Sequence, residues 1–153
     1  MSPAEFPIDL PAPLRPIRLH GLAEAQAAFD AAAALGRPLV LLSPPGAGAL
    51  WFRKLLETAA AARPGLSVAG VFDCGDRAGD AQGALAAGLR LLLFRGHPGA
   101  AARLADVAAR VGGRVLTDLP PPLDLRGVRD PRAACRAWLS DPAEASPPAG
   151  PGA

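Results

Sequence analysis

Tyrosine is missing from this chain, lysine and methionine occur once each, and aromatic residues make up only 5% of its 153 positions. The shortage of aromatics bears on nucleic acid, because proteins that hold single strands stack bases on rings set among clustered cations. Here the basic residues are nearly all arginines, spread along the chain, and the net charge is only +2. No nucleic-acid partner is expected. Cysteine is equally sparse. Cys74 and Cys135 have no CxxC spacing and no disulfide framework around them, the pattern of reduced thiols in a cytoplasmic protein. Apolar runs are short, well below the ~20 residues of a membrane-spanning helix. The opening MSPAEFPIDLPAPLRP has neither the basic start nor the apolar core of a signal peptide. No membrane partner is expected either.

What the chain has in plenty is alanine, proline and glycine, with 18 prolines and 17 glycines. The prolines gather at the two ends. Residues 1–16 hold five of them without helical or strand periodicity, and residues 141–153 (DPAEASPPAGPGA) have the same character. Such ends rarely order by themselves. The expected organisation is therefore a flexible arm over 1–16, one folded domain over 17–140, and a disordered tail over 141–153.

Within the domain, short apolar runs alternate with helical patterns. The runs cover residues 17–19, 38–43, 66–73, 89–94 and 114–117. They are unbroken in polarity, as suits strands covered on both faces of a parallel sheet. Leu22, Ala25, Phe29, Ala32 and Leu35 share one helical face, and Ala101, Leu104, Ala108 and Val111 share another. Further helices are expected over residues 49–62, 77–87 and 130–139, the last opening on Asp130-Pro131, an N-cap followed by a proline in the first turn. Three helices stop on glycine just before the next run, at Gly36, Gly88 and Gly112, the residue that accepts a left-handed helix end. The expected fold is α/β, three-layer α/β/α, with a mostly parallel sheet of about five strands built from repeated βα units. A complete (β/α)8 barrel needs ~250 residues, more than this chain has.

In such folds the loops after the strands collect along the C-terminal edge of the sheet, where ligands bind. Those loops carry His20, then Ser43, Gly46 and Gly48, then Asp73 and Asp76, then Arg95 and His97, and finally Asp118. Both histidines of the chain fall on this one edge. Each residue also has a plain structural use, since free N–H groups at helix starts need acceptors; His97 before Pro98 is placed to open a helix. The Ser43-Pro44-Pro45-Gly46-Ala47-Gly48 loop enters a helix and presents backbone N–H groups to an anion. It lacks the Gly-Lys-Ser/Thr of a P-loop and the third glycine of a dinucleotide fingerprint. No fixed-spacing metal motif occurs, so no metal site is expected and no cofactor is indicated. Cys74 lies between acids, which raise a thiol's pKa and make it a poor nucleophile.

The stretch Gly83-Ala84-Leu85-Ala86-Ala87-Gly88-Leu89-Arg90-Leu91-Leu92-Leu93-Phe94 resembles the ALxAG-plus-strand element of small phosphate-binding (β/α) barrels of the keto-acid phosphate aldolase and thiamine phosphate synthase type. More broadly the chain is similar to small bacterial α/β proteins built from βα repeats. The resemblance implies a βα-repeat fold and a phosphate-binding edge. The strand lysine on which such aldolases form a Schiff base has no counterpart, because the sole lysine, Lys54, falls within a helix. Asp73 ends the third strand as the phosphoacceptor of a response-regulator receiver does, yet the acidic pair and the later lysine of that family are missing. Two functions follow. One is a domain that binds a small anionic or phosphorylated metabolite at the C-terminal edge. The alternative is a non-catalytic interaction or scaffold module, dimeric through its alanine-rich helices. Whether either histidine serves as a general acid–base is left open by spacing alone.

Overall fold

The structure, a computed structural model, describes residues 8–140. The tail at 141–153 and the first seven residues of the arm lie outside it. The elements follow in the order β1 (Pro16–Arg18), α1 (Leu22–Leu35), β2 (Leu39–Leu42), α2 (Ala49–Ala62), β3 (Val68–Gly75), α3 (Ala78–Ala86), β4 (Leu91–Phe94) and α4 (Pro98–Arg110). They close with β5 (Arg114–Leu116), β6 (Leu123–Asp124) and α5 (Pro131–Ser140). The expected α/β architecture of βα units around a parallel sheet is present. It carries one strand more than the five apolar runs suggest, because β6 is only two residues long and leaves no periodic trace.

Local chemistry sets the boundaries. Gly36 closes α1 at φ 64°, its N–H turned back to the carbonyls of Ala32 and Ala33, and β2 begins three residues later. Gly70 serves a different purpose. A Cβ there would run into Leu56 of α2, so its absence lets the helix approach the middle of β3.

All six strands are parallel and stand in the order β5-β4-β3-β2-β1-β6. From β1 to β5 the chain always steps to the next place in the same direction. Right-handed crossovers repeated in one direction set their helices on one side of the sheet. The packing follows that rule. Phe29, Phe52, Leu56, Leu85, Leu104 and Cys135 of the helices join one buried cluster with Ile17, Leu41, Phe72, Leu92 and Phe94. The alternate strand residues Val40, Leu42, Ala69, Val71, Leu91 and Leu93 form a second cluster on the far face.

That far face is also buried, and its cover is extended chain. Leu10 and Leu14, from the part of the arm that is described, pack on it together with Leu119 of the β5–β6 connection. The connection joins opposite edges of the sheet without a helix. Five strand spacings amount to roughly 24 Å, and the seven steps from Leu116 to Leu123 reach about 25 Å at full extension. The run Pro120-Pro121-Pro122 favours that extended form. The third layer is thus a pair of proline-rich straps.

Candidate functional site

The C-terminal ends of β6, β1, β2 and β3 stand side by side, and a polar network crosses them. Arg18 ends β1. Its side chain lies on the strap-covered face, in register with Asp124 of β6 and Leu42 of β2. Arg18 Nη1 donates to the carbonyl of Ser43 at 2.6 Å and stands 3.1 Å from Asp73 Oδ2. Ser43 is fully buried, and its Oγ accepts from the backbone N–H of Asp73 at 2.8 Å. Asp73 Oδ1 in turn accepts from Gly75 N at 2.9 Å. The side chains of Arg18 and Asp73 are 12% and 10% exposed, so the pair is largely withdrawn from water.

A second pair adjoins the first. His20 Nε2 and Asp124 Oδ1 are 2.7 Å apart, and the same oxygen accepts from Arg126 N at 2.9 Å. The backbone N–H of His20 donates to Glu24 Oε1 at 2.5 Å. Burial tends to raise the Asp124 pKa. The N–H of Arg126, the bond to His20, and the charges of His20 and Arg18 outweigh it and hold the carboxyl below its ordinary value. Asp124 is therefore a carboxylate at neutral pH.

Arg18 leaves part of its guanidinium unused. Both contacts run through Nη1, and neither Nε nor Nη2 has a hydrogen-bond partner among the described residues. Those two nitrogens form the planar fork that grips a carboxylate or phosphate with two parallel bonds.

Of the residues expected at this edge, His20, Ser43 and Asp73 enter the network. The others stay outside it. Gly46 takes φ 77° in an exposed turn closed by Ala47 N on the Pro44 carbonyl, and Gly48 is the N-cap of α2. Asp76 is exposed beside Arg77. Arg95 projects from the end of β4, its backbone N–H bonded to the Gly75 carbonyl. His97 has the structural role open to it in the sequence: its Nδ1 accepts from Gly99 N at 2.9 Å and caps α4. Asp118 stands after β5, four strands from β1, and does not join the network.

Two central residues were missed in the sequence, Arg18 and Asp124. A signal for Arg18 existed in the run Ile17-Arg18-Leu19, where a charged residue stands between two apolar ones. Asp124 had none, since it belongs to the two-residue strand.

The helices that start on this edge add a directional effect. The N-caps of α1, α2 and α3 make no side-chain capping bond, leaving first-turn N–H groups open toward solvent or ligand. A small pocket lined by Pro11, Arg15, Arg37, Pro38, Val40 and Leu139 lies at the opposite end of the strands, away from this chemistry. Among the described residues no group of three or more His, Cys, Asp or Glu side chains is placed to hold a metal ion. No helix of the described residues is long and apolar enough to cross a membrane. No protein-family model and no curated protein matches the chain.

Proposed function

We propose that this chain is a ligand-binding domain that holds a small anionic or phosphorylated metabolite at the C-terminal edge of its sheet. The observation that carries the reading is the unused Nε–Nη2 fork of Arg18, held in place by its own Nη1 contacts to Ser43 and Asp73. A guanidinium fixed through one nitrogen has already lost the side-chain freedom that anion binding would otherwise cost. Asp73 neutralises its charge, and the fork remains a directional donor pair. The uncapped starts of α1 and α2 and the exposed Arg95 supply further donors along the same edge.

The interaction-module reading has its own support. Leu50 and Trp51, on the first turn of α2, are 64% and 43% exposed. A scaffold would use such a patch, and it touches none of the polar network.

A thermal-shift screen separates the two. Inorganic phosphate, sugar phosphates, nucleotides and small carboxylates are tested on the wild type and on Arg18→Lys, which keeps the charge beside Asp73 and loses the fork. An anion at about a hundred times its Kd stabilises the wild type by roughly 2.7 kcal/mol, a rise of several degrees in Tm. In Arg18→Lys the expected shift falls at least tenfold in concentration dependence. Silence across the panel with both proteins folded would transfer the reading to the interaction module.

A further inference from the structure

We infer that the anion taken by Arg18 is a single carboxylate, and that Asp73 and Asp124 are specificity-determining residues that turn away a second negative charge. The inference rests on the anion-binding reading above and names the ligand class within it.

The strand register puts these three side chains on one face of the sheet. Arg18 is paired with Leu42 of β2 and with Asp124 of β6, and Asp73 with Leu93 of β4. Leu42 and Leu93 both belong to the strap-side cluster, and side chains at matched positions of neighbouring strands leave the sheet on the same side. Asp73 Oδ2 stands 3.1 Å from Arg18 Nη1. Asp124 flanks Arg18 on the other side, one strand spacing of roughly 4.8 Å away between backbones. The one guanidinium is therefore set between two carboxylates.

That arrangement treats the first and second charges of a ligand differently. The first meets the Nε–Nη2 fork, whose two parallel N–H donors match the two oxygens of a carboxylate. A second charge gains no further bond from Arg18, because Nη1 is already engaged by Ser43 and Asp73. It meets instead the repulsion of both acids, and at 12% exposure of the Arg18 side chain water screens that repulsion only in part.

The other polar groups of the network point to the same class. The Ser43 carbonyl and the Asp73 and Asp124 carboxylates are all acceptors, and the Ser43 hydroxyl is fully buried. The helices, with their open first-turn N–H groups, pack against the opposite face of the sheet, on Ile17, Leu41 and Phe72. A carboxylate is satisfied by the fork alone. A phosphate brings further oxygens, and on the Arg18 face these would lie against acceptors.

The test uses propionate against malonate, which has the same three-carbon skeleton with a second carboxylate, and methyl phosphate, a dianion at pH 8. Each is titrated by thermal shift at pH 8 and fixed ionic strength. The half-maximal concentration for propionate should lie at least tenfold below those of the two dianions in the wild type. Asp124→Asn and Asp73→Asn each keep the shape of the side chain and remove one negative charge, and each should narrow that gap at least threefold. Dianions that bind the wild type as tightly as propionate, or a gap unchanged in either variant, would overturn the inference and leave the anion-binding reading standing. Absence of any shift with all three anions would remove both.

Discussion

At the scale of single residues, burial decides which reactive groups are usable. Cys74 and Cys135 are both fully covered, and desolvation, the largest cause for each, pushes both thiols up to about 12. A thiol with so high a pKa carries almost no thiolate at pH 8, and its nucleophilicity is suppressed. Treated with a disulfide reagent at that pH, the folded protein should modify neither cysteine over the time in which urea-unfolded protein modifies both; rapid labelling of the native state would contradict the packing around β3 and α5. The low exposure of Arg18 has the opposite meaning. It remains charged, and its pairing with Asp73 and Ser43 is what permits burial of the charge. An arginine inside an apolar run is the most informative letter at this edge.

At the scale of elements, one carboxylate fastens three helices. Asp30 of α1 accepts from Arg63 Nη2 and Nε, at the end of α2, at 2.6 and 3.0 Å, and from Arg132 Nη2 of α5 at 2.6 Å. The bond from Arg132, then that from Arg63, holds the Asp30 pKa below its ordinary value. The linked stability is therefore complete above the unfolded carboxyl value of about 3.9 and is lost as pH falls through the lower folded value. Asp30→Asn should cost about 0.5–1 kcal/mol at pH 7, since these are surface pairs. Urea titrations of the two proteins should draw together as the pH falls below about 3.9; a gap that did not narrow would mean the bonds are not ionic in origin. Helix positions were largely legible beforehand, because glycine stops and N-terminal prolines mark their ends. The helix contacts through Asp30 were not, since residues 30, 63 and 132 are joined only when α1 lies between α2 and α5.

For the molecule as a whole, the direction of winding is the governing fact. Four βα units step one way along the sheet and place their helices on one side, where α5 joins them, and the other face needs a cover that the units do not provide. Leu10, Leu14 and Leu119 supply it. Replacing Leu14 by Asp sets a charge against the far-face cluster, and should lower stability by about 1–3 kcal/mol. The same change at Leu22, which is 39% exposed on α1, should stay within about 0.5 kcal/mol. Urea denaturation with a hydrophobic dye as second probe would compare them. Equal effects would show that the arm contributes little to the far face.

The sequence by itself determined the class of fold, the alternation of strand and helix, and the edge at which polar residues collect. These depend on local periodicity and on where glycine and proline interrupt it, both of which act over a few residues. Strand order is a different kind of property. It arises from long-range pairing, and it alone set β6 beside β1, brought Asp124 to His20, and left Asp118 and His97 outside the network. The tertiary structure likewise decided that two proline-rich segments form a layer. Their sequence lacks periodicity, and only a sheet face without helices gave their leucines something to bury.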